Sequence, residues 1–428
     1  MKGEEVLAKA IRRSADRFYT VPGHPVTGLA RLLSAELVTN EKVGLEYALG
    51  DSLQDRRAAV VVKNVGLNAC ADPLVNATTQ GLRAGVVVVA GDDLEAKGSQ
   101  NVQDSRYYGE LAQVPVLEPD GATCAAAVEE AFRASERFSR VAILRVTTPL
   151  LEGDCDPGLV DRENRTGSLA DPELTMRGRT MAADMRTREL FRWSTESPLN
   201  RLGSRKGGSV GAAAGKGEGR IVTVYPPPAG ADRLSGLTEL GRPFLREHRF
   251  LEPPPDPGQP ERFSTRGHFR TFCPSCPFKG VMATLKEKGL RAICDMGCSV
   301  LAMNPPYQVG VAAYGLGSSV AVAARSTGIA LCGDFALLHS GVNALVDTYE
   351  KHLPLLCIVL ANNRLGMTGG QPGYDPVPYI GWANPVIIPA DHPDLSRHIR
   401  KGKGPRTVIV EGNCPEGETY ETVACGNL

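Results

Sequence analysis

Three compact apolar runs mark the first third of the chain: Ala58-Ala59-Val60-Val61-Val62, Val86-Val87-Val88-Val89-Ala90 and Val141-Ala142-Ile143-Leu144-Arg145-Val146. Segments of helical spacing separate them. Runs this short and this continuously apolar suit strands buried on both faces, as in a parallel sheet covered by helices. The texture returns near residue 266. Gly328 to Cys332 and Leu355 to Leu360 read as core strands, and Phe335 to His352 reads as the helix between them, a strand–helix–strand unit with a right-handed parallel connection. Val309 to Ala324 is small and apolar but broken by Gly and Ser. It reads as a buried helix entered through a Gly-rich turn and is too short for a membrane span. The pattern predicts an α/β protein with two doubly wound domains, residues 1–150 and 266–428.

Between them, from 151 to 265, Arg, Gly and Pro become common, as in Gly207-Gly208-Ser209-Val210-Gly211 and Pro253-Pro254-Pro255. One strand-like run, Ile221 to Tyr225, stands apart. This stretch reads as an irregular connector or a reduced middle domain. Its basic residues Arg201, Arg205, Lys206, Lys216 and Arg220 suit a solvated linker better than an anion site. The 428 residues carry 48 basic and 48 acidic side chains, so the net charge is zero at neutral pH. A phosphate-tracking nucleic-acid binder needs a basic excess and is not expected. The first residues lack the apolar core of a signal peptide, which points to the cytoplasm. Eleven cysteines in such a chain suit metal ligation or burial rather than a disulfide framework.

The candidate chemistry starts at strand ends. The run Ile329 to Cys332 leads into Gly333-Asp334, and the next strand leads into Asn362-Asn363. Polar groups at the carboxyl ends of strands in an open α/β sheet face the ligand crevice. One carboxylate and one amide oxygen suit Mg²⁺ on a diphosphate. A Gly-Asp at a strand end is by itself equally a turn. Asn362 follows Asp334 by 28 positions, however, and Met367-Thr368-Gly369-Gly370-Gln371-Pro372 comes next. Tyr314-Gly315-Leu316-Gly317-Ser318-Ser319 precedes the apolar helix. It reads either as a backbone cradle for phosphate or as a tight turn for helix packing.

The spacing from Asp334 to Asn362 is similar to the Gly-Asp-Gly to Asn signature of thiamine-diphosphate enzymes. With His339-Ser340-Gly341 and Met-Thr-Gly-Gly-Gln, the stretch resembles the indolepyruvate:ferredoxin oxidoreductase alpha-subunit family. Asn40-Glu41-Lys42-Val43 and Pro22-Gly23-His24-Pro25 resemble it too, with His24 in place of Thr. So do the stretches from Val65 to Leu74 and from Ser99 to Asp104. The resemblance covers about residues 1–150 and 266–420.

It implies two thiamine-diphosphate-binding-fold domains, one for the pyrimidine and one for the diphosphate and Mg²⁺. Asp334, Asn362 and the Arg364 carbonyl would be metal ligands. Gly315, Gly317, Ser318, Gly333, His339, Met367 and Thr368 would line the cofactor. Glu41 would be the catalytic carboxylate that bonds the aminopyrimidine ring; taken alone, it reads better as an acid in a helix's first turn, and Glu46 is a second candidate. Two departures stand out: Phe335 follows the Asp where the family has a small residue, and Ala361 precedes Asn362 where it has Asp. The second Asn, Asn363, leaves room for a one-residue shift of the ligand.

Cys273-Pro274-Ser275-Cys276, Cys298 and Cys414 make a four-thiolate set. Such a set can hold a [4Fe–4S] cluster or zinc, or remain reduced and unliganded. Related ferredoxin oxidoreductases have similar cysteines around a cluster. The other seven cysteines read as small apolar residues. The chain has no counterpart of the family's C-terminal ferredoxin-like segment, so electrons would leave through a partner. The resemblance implies oxidative decarboxylation of a 2-oxo acid with CoA as acyl acceptor and ferredoxin as electron acceptor. A smaller catalytic subunit, a homodimer, or both are expected. A non-oxidative 2-oxo-acid decarboxylase and a degenerate thiamine-binding scaffold or sensor are the alternatives.

Overall fold

The computed structural model describes residues 1–99, 102–197, 199, 210–211, 219–220, 223–226, 253–392 and 395–427. The chain forms two compact units. Met1–Leu169 with Thr180–Gln259 makes the first, and Ala170–Arg179 with Pro260–Leu428 the second.

The first unit is built on β1 (Arg17–Val21), β2 (Glu36–Leu37), β3 (Ala58–Lys63), β4 (Val86–Asp92), β5 (Val116–Leu117) and β6 (Ala142–Thr147). The short pair β7 (Val210–Gly211) and β8 (Gly219–Arg220) forms its own two-stranded sheet, and β9 (Thr223–Tyr225) joins the main one. The main order is β2-β1-β3-β4-β6-β5-β9, parallel except at β9. All seven residues of β4 are buried, and so are the first five of β3. That explains their unbroken apolar character: helices cover both faces. The helix Gly3–Ser14 buries Val6, Leu7, Ala10 and Ile11 and carries Glu4 and Glu5 at its start and Arg12 and Arg13 at its end, charges that complement the helix dipole. It packs on the helix Cys124–Phe138, and Ser14 Oγ donates to Glu129 across that contact at 2.6 Å.

The second unit contains β10 (His268–Thr271), β11 (Ile293–Cys294), β12 (Ile329–Gly333), β13 (Leu355–Ala361), β14 (Val386–Pro389), β15 (Pro405–Glu411) and β16 (Glu421–Ala424). Five of them form a parallel sheet in the order β11-β12-β13-β15-β14, and β10 pairs antiparallel with β16. The fold class read from the sequence is therefore the fold observed. The strands expected at 58–62, 86–90, 141–146, 328–332 and 355–360 all form.

Three local readings change. Only Ser319–Ala324 of the apolar stretch 309–324 is helical; Gly315 and Gly317 before it sit at φ 123° and 82°, a backbone incompatible with a right-handed helix. The helix expected from Phe335 begins at Asp334, passes through a π turn at Leu337–Gly341 and ends at Glu350. Within 151–265, Met176–Glu196 forms a 21-residue helix. Its apolar residues are sparse, and its place is set by partners such as Arg140, whose guanidinium donates to Thr187 Oγ1 and the Ala183 carbonyl at 3.0 and 3.1 Å. The strand read at 221–225 is seen as β9, antiparallel to β5; its first two residues lie outside the described ones, as do Arg201, Arg205, Lys206, Lys216 and the Arg220 side chain. Among the described residues no helix is long and apolar enough to cross a membrane.

Arg57 locks the first unit. It is 1% exposed, grips Glu136 with two bonds of 2.7 Å, and donates to Glu129 at 3.0 Å. Removing it would leave the buried Glu136 without its cation and Glu129 with only the longer cation contact to Arg133 at 3.7 Å. Arg57→Ala is expected to cost about 3–5 kcal/mol, measured as a lower urea midpoint. Combining Arg57→Met with Glu129→Gln and Glu136→Gln should recover most of that loss.

Candidate active site

Because β12 and β13 are neighbours in register, with Gly333 opposite Leu360, the residues after them meet. Asp334 is 2% exposed. Its Oδ2 accepts from the backbone amides of Asn362 and Asn363 at 3.0 and 2.7 Å, and its Oδ1 accepts from Phe335 at 2.7 Å. Burial pushes its carboxyl above the ordinary aspartate value, and these backbone amides pull it back. A cation at the free lone pairs would favour the charged form further. Asn362 uses both ends of its amide: Oδ1 accepts from the Arg364 amide at 3.3 Å, and Nδ2 donates to Cys414 Sγ at 2.9 Å. Asn362 borders the cavity beside Asp334 and Asn363 does not. Asn363 instead takes φ 50° and turns the chain, with its carbonyl accepting from Gly373 at 2.6 Å.

That cavity has a volume of about 640 Å³. Gly333, Asp334, Asn362, Arg364, Met367 and Thr368 border it; Gly315, Gly317, Ser318 and His339 do not. Leu316 of the Gly-rich turn borders it too. Ser318 is fully buried, its Oγ donating to the Gly315 carbonyl at 2.8 Å and accepting from the Tyr314 amide at 3.2 Å. A methyl group at Gly317 would fall 2.3 Å from Ser340 Oγ and 2.5 Å from the Gly341 amide nitrogen, so glycine lets the turn dock on the π turn. His339 is exposed, its ring 6.1 Å from that of Phe335.

The four cysteines come together. Cys273 and Cys276 follow β10, Cys298 opens the 3₁₀ turn Cys298–Met303, and Cys414 follows β15, yet all four line the same cavity as Asp334 and Asn362. A methyl group at Gly366 would lie 3.5 Å from Cys414 Sγ and 3.9 Å from Cys298 Sγ. Burial, reinforced by the neighbouring cysteines, pushes the Cys276 thiol up to about 11 and Cys298 up to about 12. The arrangement is open: among the described residues no three His, Cys, Asp or Glu side chains converge on a point that would hold a single metal ion. Cys70, Cys124, Cys155, Cys294, Cys332 and Cys357 are buried elsewhere, and Cys425 donates to the Phe263 carbonyl at 3.2 Å.

Glu41 lies in the first unit. Asn40 caps its helix, accepting from the Val43 amide at 2.9 Å, and Glu41 is the first helical residue. Its half-buried carboxylate rests against Gly66, where a methyl group would fall 2.5 Å from Oε1. Glu46, the other candidate, is 1% exposed and paired with Lys42 at 2.6 Å, which also holds Asp72 at 2.9 Å. Its charge is thus spent inside the unit. His24 sits with Nε2 4.0 Å from Asp93 Oδ1.

Sequence reasoning missed Asp295. This fully buried carboxylate at the end of β11 accepts from Ser319 Oγ at 2.8 Å and from the Ser319 amide at 3.4 Å, holding the helix that follows the Gly-rich turn. Its signal was the same as that of Asp334: an acid directly after a core strand. The apolar walls Phe272, Phe278 and Met296 carried no signal at all.

Residues 283–385 match the family model described as thiamine pyrophosphate enzyme, C-terminal TPP binding domain. The chain is 26% identical to the indolepyruvate oxidoreductase subunit IorA of Methanothermobacter thermautotrophicus, over 86% of this chain and 75% of that one. It is 26% identical to the same subunit of Pyrococcus abyssi, over 98% and 82%. The Thermococcus kodakarensis subunit is 35% identical over 39% of this chain and 28% of its own. In three dimensions the chain is similar to a thiamin diphosphate-dependent enzyme from Mycobacterium smegmatis, with TM-score 0.58 and 14% identity over 97% of this chain and all of that one. It is equally similar to a Rhodococcus jostii thiamine diphosphate-dependent 4-hydroxybenzoylformate decarboxylase, with TM-score 0.57, 15% identity and the same coverage. At these identities the two structures speak for the fold. The chain is similar to enzymes of the thiamine-pyrophosphate class. Within that class its likeness is to the indolepyruvate oxidoreductase IorA subunits, as its motifs indicated.

Gly317→Ala tests the turn. It is expected to weaken thiamine diphosphate binding at least tenfold, measured by calorimetry, because the added methyl must displace Ser340 or the Gly341 backbone.

Proposed function

We propose that the protein catalyses thiamine-diphosphate-dependent oxidative decarboxylation of a 2-oxo acid of the indolepyruvate or arylpyruvate type, yielding an acyl-CoA and passing electrons to ferredoxin through one [4Fe–4S] cluster. The observation that carries this reading is the shared cavity: the proposed metal residues Asp334, Asn362 and Arg364, with Gly333, Met367 and Thr368, and four thiols border one space, joined by the bond from Asn362 Nδ2 to Cys414 Sγ. Bound thiamine diphosphate would supply the carbanion chemistry that cleaves the bond to the carboxylate.

This chain's residues bind and orient. Asp334 and Asn362 present a carboxylate and an amide oxygen at adjoining strand ends, a hard oxygen set that fits Mg²⁺, and the Arg364 carbonyl would complete it. The turn Gly315-Leu316-Gly317 would carry the diphosphate, and Leu316, Met367 and Thr368 border the cofactor space. Phe272, Phe278, Met296 and Leu301 make apolar walls that exclude water from the reacting carbon. Cys273, Cys276, Cys298 and Cys414 would ligate the cluster. Thiols spread around a cavity suit a polynuclear cluster, whereas zinc draws its sulfurs to about 2.3 Å from one point.

Glu41 is assigned to the aminopyrimidine. It sits at a capped helix start beside the carboxyl ends of β1 and β3, against a glycine, and in contrast to Glu46 it is not paired with Lys42. The first unit would serve as the pyrimidine-binding domain and the second as the diphosphate-binding domain. A second copy, a smaller oxidoreductase subunit, or both would complete the enzyme, which we place in the cytoplasm.

Anaerobically purified protein is expected to hold about four irons and four acid-labile sulfides per chain, beside thiamine diphosphate and magnesium. Thiamine without iron or sulfide after reconstitution would overturn the cluster and leave non-oxidative decarboxylation. Glu41→Gln should bind thiamine diphosphate as tightly as the parent, by calorimetry, while ¹⁴CO₂ release from a carboxyl-labelled 2-oxo acid falls at least a hundredfold. Unchanged release would remove Glu41 from the chemistry.

A further inference from the structure

The four cysteines sit on segments far apart in sequence, and one bond ties two of those segments together. β10 and β16 pair antiparallel, with Thr271 opposite Glu421. The chain that leaves β10 through Cys273-Pro274-Ser275-Cys276 therefore lies beside the chain that enters β16 from Cys414. Arg270 closes the end of this ladder, its guanidinium 4.4 Å from the centre of the Tyr420 ring. Across the join the Ser275 amide donates to Glu418 Oε2 at 2.9 Å. Cys273, Cys276, Cys414 and Glu418 all border the cavity of the proposed site.

The amide that Glu418 takes is the one the loop leaves over. Pro274 and Pro277 have no N–H, and the Cys276 amide donates to the Cys273 carbonyl at 3.1 Å. The Pro274 carbonyl accepts from Lys279 Nζ at 2.7 Å, which holds the loop from its own side. From Pro274 to Pro277, Ser275 thus has the only N–H not used within the loop, and a carboxylate receives it.

We propose that Glu418 is a positioning residue for the four thiols and that it lowers the reduction potential of the cluster they would hold. The inference rests on the cluster assigned above. Reduction adds one negative charge to a cluster. N–H donors to its sulfurs stabilise that charge, and a nearby anion opposes it. Glu418 acts on both counts. It engages an amide that lies between two ligating cysteines and is otherwise available to a sulfur, and it sets a carboxylate beside the loop. An exposed glutamate is ionised at neutral pH, and the bond from the Ser275 amide pulls the Glu418 carboxyl below its ordinary value. Asp334, Arg364 and Glu416 also bring charge to the cavity border; Glu418 differs in being bonded to the cysteine loop itself.

The test is an EPR-monitored redox titration of anaerobically purified protein, with iron and acid-labile sulfide measured on each sample. Glu418→Gln removes the charge and keeps an oxygen for Ser275. It is expected to favour the reduced cluster about tenfold, a midpoint higher by about 59 mV for one electron. Glu418→Ala removes both and should shift the midpoint at least as far. Glu418→Asp keeps the charge and should fall nearer the parent. Glu416→Gln makes the same charge change on the same segment and should shift the midpoint less. The tie itself is read without the cluster: in the iron-free chain, Glu418→Ala should speed hydrogen exchange of segment 272–278 about tenfold. A full cluster with one midpoint in the parent and Glu418→Gln overturns the inference alone, as does an equal shift from Glu416→Gln or unchanged exchange at 272–278. A parent chain without iron and sulfide after reconstitution overturns the cluster, and this inference with it.

Discussion

Asp334 brings a carboxylate into a position 2% exposed, and what compensates it is backbone, not a cation. Three amides converge on its two oxygens, one from its own helix start and two from the turn after the neighbouring strand. The arrangement works only if β12 and β13 are adjacent and parallel, with both carboxyl ends at one edge. Once that holds, the turn after β13 is pinned, Asn362 is turned into the cavity, and Cys414 is within reach of its amide. The cavity's geometry therefore descends from one buried acid and the strand order that lets it be satisfied.

The two units solve the buried-charge problem in different ways. The first uses ion pairs: Arg57 with Glu129 and Glu136, and Arg145 with Asp92 at 2.6 Å and Glu118 at 2.7 Å. Burial pushes the Asp92 carboxyl up even so, and Arg145 opposes it. Such pairs add little net stability over well-packed apolar residues, but they penalise any rearrangement that separates them. They fix the packing of helices on strands. The second unit pairs Asp347 with Lys351 at 2.6 Å but uses neutral donors at Asp334 and Asp295. A carboxylate held by amides and hydroxyls keeps its full negative charge for a ligand, whereas one paired with arginine does not.

Much of this was legible in the sequence, and the reason is periodicity. Strands buried on both faces leave continuous apolar runs, so β3, β4, β6, β12 and β13 could be read directly, and an acid or amide immediately after such a run falls at the ligand edge of the sheet. That rule found Asp334 and Asn362 and, applied evenly, would have found Asp295. What escaped depends on contacts far apart in sequence. The helix Met176–Glu196 has too few apolar residues to announce itself, and its partners Gln113, Arg140 and Pro226 come from other segments. Glu41 and Glu46 share one helix; the resemblance favours Glu41, and the pairing of the buried Glu46 with Lys42 agrees.

The residue that joins these strands of argument is Asn362. Its side-chain oxygen accepts from the Arg364 amide, its nitrogen donates to Cys414 Sγ, and both Asn362 and Cys414 border the cavity beside Asp334. Aspartate would keep the oxygen but present a second anion to the thiol and lose the donor. Glutamine would keep both functions on a longer arm and displace one of them. A side chain that must accept on one face and donate on the other, at a fixed reach from a strand end, leaves asparagine as the residue that fits.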